Sequence, residues 1–214
     1  MLVANRGPLE DLAGFEVVGR ATRLVLIDSL NDQIDAAQER WGAADAIFEA
    51  AGNDVGIAVQ GIEHVPIINV FQGPHKSLLT STVDRFPNVS VTAYAVRPGA
   101  GDAQNDIHRN VEISLLVELM VRAGPVASAT KSGIGDSLFC ESLAHRRVER
   151  TSEAVLKAIG ASQNLLGAVL RITEPRGGIV NTSWVKATEG GNEQSYVLHG
   201  ARFQYSLQRL SARY

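Results

Sequence analysis

The sequence predicts an α+β protein: a mainly antiparallel sheet built round a long β-hairpin, with two helices packed on one face. Three observations carry this. Residues 109–123, RNVEISLLVELMVRA, alternate strictly, two other segments keep helical spacing, and turn-forming residues separate several shorter alternating runs. In the long run Val111, Ile113, Leu115, Val117, Leu119 and Val121 share one face, and Glu112, Ser114, Leu116, Glu118, Met120 and Arg122 share the other, because successive strand side chains point to opposite sides. At about 3.3 Å per residue this run would reach roughly 50 Å, more than twice a typical strand. A strand of that length outreaches the core of a small monomer and points to contact with a neighbour.

The elements follow in order. Residues 1–21 read as an N-terminal extension to a single domain over 22–214. From Thr22 to Trp41 the apolar positions Leu24, Ile27, Leu30, Ile34, Ala37 and Trp41 recur at three and four residues, one stripe of an amphipathic helix that Thr22 can cap. A second helical piece, Ala43 to Ala51, lies within an insertion around 42–61 and stops at Gly52-Asn53. Residues 62–71 read as a strand entered through Pro66, which suits an edge. Residues 88–96 form the next strand, with Val89, Val91, Ala93 and Ala95 on one face. The turn-rich 97–106 sends the chain back into the long strand.

The second half repeats the plan. Val126 to Gly135 is a loop of small residues, expected to lack order of its own, and Asp136 or Ser137 caps the helix after it. That helix buries Leu143, the stem of Arg147, Val148, Thr151, Val155 and Ile159, and ends at Gly160. Three further strands are expected over 165–173, 179–186 and 195–210.

Composition sets the class. The chain has 214 residues, 45% hydrophobic and 20% charged, as in ordinary globular proteins. No apolar run is long enough to span a bilayer and no signal-peptide pattern opens the chain, so no membrane contact is expected and the cytosol is the expected place of synthesis. Cys140 is the single cysteine, which excludes an intrachain disulfide. A net charge of −3 argues against a general nucleic-acid footprint.

No motif yields convincing chemistry. Gly135-Asp136-Ser137-Leu138 matches the nucleophile block of GDSL esterases, but no Asp-x-x-His pair follows it to supply the base that a serine hydroxyl needs. The five histidines lack paired metal-ligand spacing. No phosphate loop is present. The chain is therefore expected to be neither an enzyme nor a holder of a cofactor or metal. Arg146, Arg147 and Arg150 form the main basic cluster, and interleaved Glu149 and Glu153 favour a solvated or intersubunit ion-pair role over DNA binding.

The segments FPNVSVTAYAVRP, HRNVEISLLVELMVRAG, ESLAHRRVERTSEAVLKAI and HGARFQYSLQRL, in that order, resemble the tail terminator (tail completion) proteins of long-tailed, siphovirus-type bacteriophages. The resemblance spans roughly residues 22–210. It implies a virion structural protein that assembles in the host cytoplasm as a ring, usually a homo-hexamer, at the junction of head and tail. Such a ring caps the tail tube, ends its polymerisation and joins it to the head connector, and DNA passes through the lumen without specific binding. On this reading Glu112, Glu118, Arg146 and Arg150 are candidates for the subunit interface. Lys131, Gly133 and Gly135 are candidates for contact with the tail-tube protein. A head-closure or adaptor protein of the neck is the alternative, and a small GDSL-type esterase the remote one.

Overall fold

In a computed structural model that describes residues 15–50, 62–73, 86–98, 108–126, 133–189 and 192–212, the expected α+β architecture is present. Helix α1 (Phe15–Ala50) leads through a short 3-10 turn (Ile67–Asn69) into strand β1 (Val70–Gln72), followed by β2 (Asn88–Pro98) and β3 (His108–Val126). Helix α2 (Gly133–Ala161), a second 3-10 turn (Leu165–Gly167), β4 (Arg171–Ile172), β5 (Arg176–Glu189) and β6 (Asn192–Ala212) complete the order. The strands form one six-stranded sheet in the order β1-β2-β3-β6-β4, with β5 also paired to β6. Only the β1 pairing is parallel.

The alternation of β3 sorts the layers. Ile113, Leu115, Val117, Leu119 and Val121 are almost wholly buried, and so are Ala201, Phe203, Tyr205 and Leu207, which stand opposite them on β6. Both helices cover this face: Val18, Leu26, Leu30 and Ile34 of α1 and Val148, Val155 and Ile159 of α2 join the same core. The α2 face is the one read from spacing, with Leu143, Val148, Thr151, Val155 and Ile159 all buried.

Helix α1 differs from expectation at both ends. It starts seven residues before Thr22, so the boundary set between residues 21 and 22 falls inside it, and Val17, Val18 and Ala21 belong to the core. Thr22 is no cap; its hydroxyl donates to the Val18 carbonyl, 2.8 Å away. The buried stripe is also rotated, leaving Leu24 exposed while Thr22, Val25 and Leu26 are buried. The helix then runs unbroken through Gly42 to Ala50, so the first part of the supposed insertion is helix and 51–61 lie outside the described residues. Glycine costs a helix interior about 1 kcal/mol. Ties to α2 on both sides offset it: Arg40 and Trp41 bind Glu153, and Asp45 binds Arg150.

Residues 62–66 are not a strand, and α1 explains why. The Asn31 side chain takes both the N–H and the carbonyl of Val65, Gln38 donates to Ile62 O, and Arg23 donates to Val70 O. With its backbone groups held by helix side chains and with Pro66 lacking an N–H, the segment pairs in the sheet only from Val70 onward. The expected strand over 165–173 shrinks to Arg171–Ile172 for a related reason: Ser162 and Asn164 carbonyls accept from Leu165, Gly167 and Val169, which winds the chain into a turn. Leu165 and Leu166 adopt φ of 45° and 60° there, a conformation costly for leucine and held by the burial of Leu165. Between Ala93 and Ala95 a register shift pairs Ala95 with Ser114, which interrupts the even alternation expected of β2.

Gly177, the second residue of β5, has φ +141°, and a Cβ built on it would lie 1.9 Å from the Arg202 carbonyl oxygen. Only glycine fits so close a backbone approach. Gly177→Ala should lower stability by about 2 kcal/mol or more, read as a drop in Tm of at least roughly 4 °C. An unchanged melting curve would show that β5 does not rely on this approach.

Candidate interface surfaces

The residues singled out from sequence fall in three places. Glu118 stands opposite Ser90 on β2 and Arg202 on β6, on the sheet face away from the helices. Its side chain is only 11% exposed, and Arg202 Nε and Nη2 donate to its Oε1 at 3.0 and 2.6 Å. Glu112, half-buried on the same face, accepts from the Ser206 hydroxyl. Glu112 and Glu118 are thus each held by a neighbour on β6, and Ser90 beside Glu118 is fully buried. The alternation revealed the face; it could not reveal that Arg202 would stand opposite Glu118, because cross-strand pairs follow from register alone.

The basic cluster on α2 is drawn inward. Arg150 forms a 2.6 Å pair with Asp45, both side chains being mostly buried, and its guanidinium lies 5.1 Å from the ring centre of Trp41. Arg147 binds Glu63 at 2.9 Å and donates to the Arg122 carbonyl at 2.8 Å. Burial lowers the Arg147 pKa, while Glu63 raises it in partial compensation. Arg146 is half-buried and also has a partner within the chain. Arg147 and Arg150 therefore bind α2 to the α1–β1 connection and to α1, a role that spacing along one helix cannot disclose.

Of the loop candidates, Lys131 lies outside the described residues. Gly133 and Gly135 belong to α2, which begins at Gly133, ahead of the expected cap at Asp136 or Ser137. Val126 closes β3, so four of the ten residues expected as loop, Val126 and 133–135, are in regular structure instead, and 127–132 lie outside the described residues.

His199, on the helix-facing side of β6, packs edge to face against His145 of α2 with ring centres 5.6 Å apart, and Glu149 lies 3.3 Å from His145. Burial first, and then the neighbouring His145, lower the His199 pKa, against a smaller opposing pull from Glu141. Among the described residues no group of three or more histidine, cysteine or acidic side chains could hold a metal, and no helix is long and apolar enough to cross a membrane. A comparison with protein-family models finds no match for the chain, and a comparison with curated proteins finds none either.

Two measurements follow from these pairs. Glu118→Lys would set a cation against Arg202 in a nearly closed position, and should destabilise the monomer by about 2–4 kcal/mol, whereas the double variant Glu118→Leu/Arg202→Leu should fall within about 1 kcal/mol of the wild type. Equal losses in both would mean that the pair is not coupled. A His199 pKa that is lower in the folded than in the unfolded chain means that the unfolded chain takes up more protons. Stability should thus fall as pH drops below the unfolded value of about 6.5 and level off below the folded pKa. His199→Gln should flatten that slope in denaturant titrations between pH 5 and 7.5, and an unaltered slope would assign it to other groups.

Proposed function

We propose that the chain is a tail terminator: a ring-forming virion protein that caps the tail tube at its head-proximal end and provides the surface to which the head connector joins. The observation that supports this most is the build of the sheet. Strands β3 and β6 have 19 and 21 residues and pair antiparallel over nearly their whole length, and the two helices cover one face only. Strands this long are several times those of an ordinary domain. Head-to-tail copies of one chain need two different surfaces, and a closed ring satisfies every such contact without leaving a growing end. The order of long hairpin (β2 and β3), helix α2 and closing strand β6 is that of the segments on which the resemblance rests.

The electrostatics suit a passage for DNA. Glu112 and Glu118, on the sheet face away from the helices, are paired, and the chain has no excess of cations to grip phosphates.

The test is functional capping. Purified protein added to tail-tube subunits polymerising without heads should bind tube ends and stop growth, giving tubes of uniform length by electron microscopy. Binding to isolated connectors with no effect on tube length would identify a neck adaptor. Binding to neither would remove the protein from the head–tail junction.

A further inference from the structure

The two edges of the sheet carry unlike features that match. At the β1 edge the 3-10 turn exposes Ile67 and Ile68, 59% and 84% accessible, the latter the most exposed large apolar side chain among the described residues. This projection is held firmly. Pro66 starts the turn, Asn69 N donates to Pro66 O, and the buried Asn69 side chain donates to Pro87 O. Isoleucines held out in water on an anchored turn call for a covering surface. Helix α1, which clamps this segment, carries exposed Asp28, Asp32 and Asp35 at a spacing that puts them on one side of the helix, the last beside His64.

The opposite edge holds an open pocket of about 410 Å³ between the end of α2 and β4, walled by Leu156, Ile159, Leu170, Ile172 and the ring of Tyr205. Its outer wall is itself apolar and exposed, with Leu170 58% accessible. Two arginines, Arg171 on its wall and Arg176 just beyond, are exposed, with Glu174 between them. Across the sheet, four strand spacings of about 4.8 Å separate the two features by roughly 19 Å.

We infer that the Ile67–Ile68 turn of one copy seats in the β4-edge pocket of the next, with the Asp28–Asp32–Asp35 row of α1 facing Arg171 and Arg176. A second copy is the occupant that these surfaces favour: an apolar projection and an apolar recess, flanked by opposite charge, lie on opposite edges of one chain. That is the requirement for a heterologous contact that repeats and closes. This inference rests on the ring reading and specifies the contact that makes the ring.

Ile68→Asp removes the projection at a position that packs against little. Gly160→Leu fills the recess, since Gly160 lines the pocket, has nothing within 4 Å of a built Cβ, and would exchange a poor helix former for a good one. Circular dichroism and Tm establish that each variant is folded. In sedimentation velocity the wild type should form a closed oligomer, while each variant should need at least tenfold higher concentration to associate. An equimolar mixture should form one-to-one dimers and nothing larger, because only the Gly160→Leu projection and the Ile68→Asp recess remain intact. Rings formed by either variant at wild-type concentrations would overturn this contact and leave the ring reading standing. Monomeric variants that fail to pair when mixed would overturn the match of turn to pocket. A wild type that stays monomeric would overturn both the contact and the ring.

Discussion

The antiparallel register of β3 on β6 is the constraint on which everything else depends. It sets Ile113, Leu115, Val117 and Leu119 beside Leu207, Tyr205, Phe203 and Ala201 on one face, and Glu118 beside Arg202 on the other. A slip of one residue would turn the buried set outward and drive Glu118 into the core. Both helices pack on that single apolar face, so their positions depend on the same register. The Glu118–Arg202 pair reinforces it, because a carboxylate that is nearly closed off from water is tolerated there only with its partner opposite.

Around that ladder the chain uses side chains where a strand would have used backbone. Asn31 and Gln38 hold the segment before β1 and Arg23 the first residue of β1 itself, and Asp45, Trp41 and Arg40 hold α1 against α2. The consequence is a firm helix layer and a very short β1. Beyond Val91, β2 has no outer partner among the described residues. The edges of the sheet, not its centre, are where the molecule remains open.

Period was the part of the fold most legible in the sequence. Strict alternation located β3 to within a few residues, and the spacing of Leu143, Val148, Thr151, Val155 and Ile159 identified the buried face of α2. What spacing misjudged were the places where long-range hydrogen bonds override local preference. Gly42 reads as a break until Glu153 and Arg150 are seen bridging it, and residues 62–66 read as a strand until Asn31 and Gln38 take their backbone groups. The candidate surface residues show the same limit. Charge pattern drew attention to Glu118 and Arg150, but only register and helix packing show that Arg202 and Asp45 hold them within the chain.

The proposed ring rests on a sheet that carries both helices on one face and has two unlike edges. Native mass spectrometry of the purified wild-type protein tests it most directly. A closed ring should give one oligomer of fixed subunit number, six on the strength of the resemblance, whose proportion rises with concentration without larger species appearing. A monomer at every concentration, or an open-ended ladder of oligomers with no favoured size, would contradict it.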